Sequence, residues 1–119
     1  MNTIKLIFPF RAISKDNEKM FNRHGRPFLS KKYKDFDALV KQQARIQYRG
    51  EILECPLIVS IIYRFKNKKH CDLFNLPKGI MDAMQGVIFK NDNQIKVGNQ
   101  SCIDESATED IFEVYVGVI

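Results

Sequence analysis

No stretch of this 119-residue sequence approaches the roughly 18 to 20 consecutive apolar residues that a membrane span requires. The opening run MNTIKLIFPF also lacks the apolar core and cleavage site of a signal peptide, so a cytoplasmic protein with no membrane partner is expected. Cysteine is scarce. Cys55, Cys71 and Cys102 are odd in number, far apart and without a CxxC pair, so they are expected as reduced thiols, with Cys55 buried. His70 and Cys71 are neighbours whose only further soft partners are Cys102 and His24, too few for a zinc site. Internal repeats and low-complexity segments are absent, as is an aromatic-rich strand of the kind that stacks RNA bases.

What is present is an ordinary globular composition. With 45% apolar and 28% charged residues the chain can build a core, but its length suffices for one core only, so residues 1–119 are expected as a single domain. Charge is unevenly placed: residues 1–50 carry a net +8 and residues 51–119 a net −3. Arg11, Lys15, Arg23 and Arg26 lie in the first part, and RFKNKKH supplies Arg64, Lys66, Lys68 and Lys69. Such clustering suits a polyanion, although lysines that merely solubilise a surface give the same count.

Periodicity supplies the scaffold. TIKLIF, residues 3–8, alternates as a strand and Pro9 stops it. Arg11 to Pro27 shows charge, Asn, Gly and Pro without a period, and is expected as a long loop. Ser30 can cap a helix to about Tyr48 with Tyr33, Phe36, Val40 and Ala44 on one face, closed by Gly50. LIVSIIYRF is a strand with Leu57, Val59, Ile61, Tyr63 and Phe65 on one side, and IFEVYVGVI is another with Phe112, Val114, Val116 and Val118. The polar run GNQSCIDESATED between them is expected as loop.

The chemistry concentrates in HCDLFNLPKGIMDAMQGVIFKNDNQI. Asn75 can cap a helix from about Leu76 to Gln85, with Pro77 in its first turn and Gly86 ending it. Leu76, Ile80, Ala83 and Met84 then share one side, while Asn75, Lys78 and Asp82 fall within roughly 60° of each other on the opposite side. Asp72 stands before the helix, where the dipole favours its ionised form. VIF, KNDN and QIKV read as strand, turn and returning strand, which places Asp92 beside a tight turn. Singly, each acid has a structural explanation: a capping Asp72, an Asp82 paired with Lys78, a turn-forming Asp92. Three together suit a hard cation such as Mg²⁺, which takes few carboxylates and leaves room for substrate phosphates.

The run Asp72, Asn75, Lys78, Asp82-Ala83, Asp92 and Gln94-Ile95 resembles the RusA family of Holliday junction resolvases, small endonucleases common in phages and prophages. The order of strand, basic segment, helix and central strand is similar as well. That resemblance implies an α+β fold, a single small domain with a mixed β-sheet and two main helices. It also implies a homodimer, paired cuts in branched DNA, and dependence on Mg²⁺ or Mn²⁺. Carried onto this chain, it makes Asp72, Lys78 and Asp92 catalytic and Asp72, Asp82, Asp92 and Asn91 the metal donors. Arg11, Lys15, Arg23, Arg26, Arg64, Lys66, Lys68, Lys69 and Asn75 become the DNA contacts. The sequence departs from the pattern at Phe74, where the family has a second carboxylate, and at Asn91, where it has a first Asp of a pair. The departure at Phe74 favours an alternative, a structure-selective branched-DNA-binding protein with reduced or lost cleavage. A basic adaptor or RNA-binding domain with structural aspartates is a third class.

Overall fold

The computed structural model describes residues 3–15, 19–98 and 101–119, so parts of the two expected loops, at 16–18 and 99–100, lie outside the described residues. Within them the chain forms β1 (Thr3–Phe8), β2 (Lys19–Phe21), β3 (Pro27–Leu29), α1 (Lys31–Gln47), β4 (Leu57–Arg64), α2 (Pro77–Met84), β5 (Ile95–Val97), β6 (Cys102–Asp104) and β7 (Ile111–Val118). β4 is central. Along one edge it pairs antiparallel with β7, which pairs antiparallel with β1. Its other edge carries two short parallel strands, β5 at Leu57–Ile58 and β6 at Ile62–Arg64. The result is a mixed sheet with both helices, the α+β architecture expected.

Alternation decides which face is covered. Leu57, Val59, Ile61 and Tyr63 of β4, Phe112, Val114 and Val116 of β7, and Leu6 and Phe8 of β1 are buried, forming one core with the helices. Tyr33, Phe36, Val40 and Ala44 of α1 and Ile80, Ala83 and Met84 of α2 face into it. Fully burying such side chains contributes about 1.5–3 kcal/mol each. Phe8 and Phe112 stack with centroids 4.6 Å apart, and Phe10 sets its ring edge-on to Phe36 at 5.7 Å. Truncating Phe112 to Ala would remove the hub of this cluster and cost about 3–5 kcal/mol.

Both helices start where local chemistry says they should. Ser30 Oγ accepts the Tyr33 N–H at 3.1 Å, closing the first turn of α1. Pro77 occupies the first turn of α2, where its missing N–H is no loss. α2 lies close to α1 because Gly79 has no side chain: a Cβ there would come within 3.1 Å of Tyr33 Cζ. Gly86, with φ +81°, supplies the left-handed turn that releases the chain from the end of α2.

Several expectations are corrected. The basic segment is not all loop: β2 and β3 form a hairpin whose turn is set by Asn22, the Oδ1 of which accepts the His24 and Arg26 N–H groups. Strands of three residues are too short to show a period, although Met20, Phe21 and Phe28 in them are apolar and exposed. α1 stops at Gln47 with Tyr48 as its cap, close to the expected end, but the Tyr48 N–H bonding to the Ala44 carbonyl closes it, not Gly50. Leu76, not Asn75, stands at the cap position of α2; Asn75 belongs to a preceding 3₁₀ turn, Leu73–Asn75. Val87–Phe89 is a buried turn bridged to Leu53 and Gln85, and β5 joins β4 in parallel, so the expected hairpin is instead a strand–helix–strand crossover. Cys102–Asp104, read as loop, is β6. Cys55 is half-buried and all three cysteines are free. Among the described residues no helix is long and apolar enough to cross a membrane.

Candidate active site and nucleic-acid interface

The segment leaving β4 is pinned before it reaches Asp72. His70 stacks on Phe65 at 4.4 Å, its Nε2 lies 2.6 Å from Glu105 Oε2 and its Nδ1 2.9 Å from the Cys71 carbonyl. Both ring nitrogens therefore face oxygen acceptors, and the Cys71 carbonyl, with Glu105 adding to it, raises the imidazole pKa above its ordinary value. Burial raises the Cys71 thiol as well.

Asp72 then opens the 3₁₀ turn, its carbonyl accepting the Asn75 N–H at 3.0 Å while its carboxylate makes no capping bond. Asn75, Lys78 and Phe74 are exposed around it, Phe74 to 90%. This polar edge sits at the N-terminal end of α2, directly after the exposed cations Lys66, Lys68 and Lys69. Lys69 and His70 also line an open cleft of about 370 Å³ together with Arg11 and Lys32.

Asp92 is built differently. It begins a 3₁₀ turn, Asp92–Gln94, that Asn91 caps by accepting the Asn93 N–H at 3.0 Å, while Gln94 Oε1 accepts the Asn91 N–H at 2.8 Å. The Gln94 amide donates to the Leu53 and Cys55 carbonyls at 2.9 and 3.0 Å, which ties the turn to the entrance of β4. The Asp92 N–H donates to Gln85 Oε1 at 2.9 Å, at the far end of α2. The Asn91 side chain also accepts from the Gln94 backbone N–H, which completes a capping box.

Asp72 and Asp92 thus stand at opposite ends of α2. Ile95 pairs with Leu57, the first residue of β4, whereas His70 packs on Phe65 just beyond its last. An eight-residue helix at about 1.5 Å per residue holds the two backbone positions on the order of 10 to 15 Å apart in one chain. Asp82, half-buried, is held by Lys15 at 3.0 Å, not by Lys78. Among the described residues no group of three or more His, Cys, Asp or Glu side chains gathers to hold a metal. The convergence expected of Asp72, Asp82 and Asp92 does not occur within one chain. The donor chemistry nevertheless fits a hard cation: Asp72 and Asp92 are exposed carboxylates with no ion-pair partner among the described residues, and Mg²⁺ takes one or two carboxylates and fills its octahedron with water and phosphate oxygen.

The expected DNA contacts divide in two. Arg11 donates to Asp110 at 3.2 Å and to the Lys69 carbonyl, and lies 4.9 Å over the Phe65 ring, so it clamps the segment after β4. Arg64 is shared by Asp104 at 3.1 Å and Glu113 at 3.5 Å. The Lys66 N–H, with Arg11 adding to it, holds the Asp110 carboxyl below its ordinary pKa. Lys15 is taken by Asp82. Arg23 and Arg26 on the hairpin turn, and Lys66, Lys68 and Lys69, have ammonium or guanidinium groups without ion-pair partners among the described residues. Sequence reading missed Gln85, Glu105 and Asp110, because each acts by long-range contact and carries no local signature.

The Endodeoxyribonuclease RusA family profile matches residues 9–111. A crossover junction endodeoxyribonuclease RusA from Aquifex aeolicus (strain VF5) is 28% identical over 97 residues, covering 80% of this chain and 76% of that protein. The match takes in the strand, the helix pair and both acidic turns described above, and by it this chain belongs to the RusA endodeoxyribonuclease family.

Proposed function

We propose that this chain is a Mg²⁺- or Mn²⁺-dependent endonuclease that resolves four-way DNA junctions by phosphodiester hydrolysis, working as a homodimer. One observation carries the reading: Asp72, Asn75 and Lys78 stand exposed together at the start of α2, directly after an unpaired cationic run, in a chain of the RusA family. Asp72 and Asp92 would hold the cation. Because α2 separates them in one chain, the reading requires a two-fold assembly that sets Asp92 of the partner subunit beside Asp72. The bound ion supplies a more acidic water and polarises the phosphate. Lys78 presents a point charge to the phosphate oxygens as negative charge builds, an interaction worth several kcal/mol when made only in the transition state. Asn75 positions a phosphate with its amide. Arg23, Arg26, Lys66, Lys68 and Lys69 follow the sugar-phosphate backbone without reading bases.

A labelled four-way junction beside linear duplex, with and without Mn²⁺, tests this. Junction-selective cutting that Asp92→Asn abolishes is the expected outcome; binding that ignores branching defeats it. A second reading, a branched-DNA-binding protein with reduced or lost cleavage, is favoured by Phe74 occupying the family's second carboxylate position. It predicts tight junction binding without product, and a gain of cutting in Phe74→Asp.

A further inference from the structure

Phe74 is the most exposed large apolar side chain among the described residues, with 90% of its surface open to water. It makes no ring contact with another aromatic side chain there. Water is a poor environment for a phenyl ring, and neighbouring Leu73 and Leu76 on the same turn do pack inward. Mobility does not account for the exposure: the Asn75 and Leu76 N–H groups bond to the Asp72 and Leu73 carbonyls at 3.0 and 3.3 Å, and α2 follows at once. The ring is held out on a fixed turn, between Asp72 and Asn75 and beside Lys78, all exposed and polar.

We propose that Phe74 is a positioning residue whose ring stacks on a nucleobase at the branch point of the DNA, next to the phosphate held by Asn75 and Lys78. This rests on the junction reading above. A base is the occupant the surroundings favour, because it offers an apolar face with a phosphate a few ångströms away, and the rim of Phe74 offers an apolar face beside a cation and an amide. Phe74 also lines an open groove with Leu73, Pro77, Gly98 and Ser101, so a subunit seated there is the competing outcome that the experiment separates, while the flanking Asn75 and Lys78 favour a base with its phosphate. Base pairs at a branch point are open on one side, so stacking there needs less unstacking than in linear duplex. The exchange of a carboxylate for Phe74 thereby trades a metal donor for a grip on branched DNA.

The experiment uses the full chain in EDTA buffer with a four-way junction carrying 2-aminopurine at the branch, and compares wild type, Phe74→Ala and Phe74→Trp. Wild type should change the 2-aminopurine fluorescence; Phe74→Ala should lose that change and bind the junction about 5- to 100-fold more weakly, the range for loss of one base–aromatic stack. Phe74→Trp should restore both, and affinity for linear duplex should barely move. The proposal is overturned if Phe74→Ala perturbs the probe as wild type does, or if sedimentation shows that Phe74→Ala dissociates a dimer, which would make Phe74 a subunit contact. Absence of junction preference in wild type would instead refute the junction reading, and the stacking role with it.

Discussion

Lys15 Nζ lies 3.0 Å from Asp82 Oδ2, joining the basic segment after β1 to the polar face of α2 across 67 positions of sequence. Each side chain is a little over a quarter exposed, so the pair is partly screened and contributes at most about 1 kcal/mol. Asp82 is thereby occupied in positioning the segment. Asp82→Asn and Lys15→Ala are expected to lower stability by no more than that amount, measured by urea denaturation, and to leave junction cleavage within about tenfold of wild type. A loss as complete as that of Asp92→Asn would instead return Asp82 to the metal.

The separation of Asp72 from Asp92 has a direct genetic test. Asp72→Asn and Asp92→Asn should each be inactive alone. Mixed and re-equilibrated, they form heterodimers in which one composite site retains both carboxylates, and these should nick one strand of a junction. If each site were built within a single chain, no mixture would recover any cutting.

Binding should weaken steeply with salt, since phosphate contacts release counterions. Replacing Lys66, Lys68 or Lys69 singly by Ala should reduce the slope of log affinity against log salt by about 1 with folding intact. Arg11→Ala is expected to behave otherwise: it removes the clamp on Asp110, Lys69 and Phe65, so its melting temperature should fall. A flat salt profile would reject the cationic run as a DNA track.

Acid should destabilise the fold through Asp110. The Lys66 N–H at 3.0 Å, with Arg11 adding to it, lowers its folded pKa. A group of that sign contributes stability that is full above the ordinary carboxylate pKa of about 4 and is lost as pH falls through the lower folded value. Asp110→Asn should therefore be less stable than wild type at pH near 7 and the gap should narrow below about pH 4, followed by thermal melts across that range. A gap independent of pH would show that the carboxylate charge contributes nothing.

Much of the scaffold was legible because its signals are local. A strict alternation marks β4 and β7, a 3.6-residue period marks α1, and Ser30 and Gly86 mark their ends in the sequence itself. The buried face of α2 was legible for the same reason. Short strands escaped. β2, β3, β5 and β6 have three residues each, too few to show a period, and exist because a neighbouring strand offers hydrogen bonds. Gln94 looked like a feature of the resemblance alone, and only folding showed it fastening the Asp92 turn to the Leu53 and Cys55 carbonyls.

Residue type and spacing by themselves determined which side chains can do chemistry here and which faces of the long elements are buried, since both follow from the period of a helix or strand. Tertiary structure decided the partners: Lys15 rather than Lys78 for Asp82, Asp110 for Arg11, Glu105 for His70. It also decided that Asp72 and Asp92 stand at opposite ends of α2. Those outcomes depend on where a crossover returns the chain, and pairing across tens of residues is fixed by packing of the whole core, which no local pattern encodes.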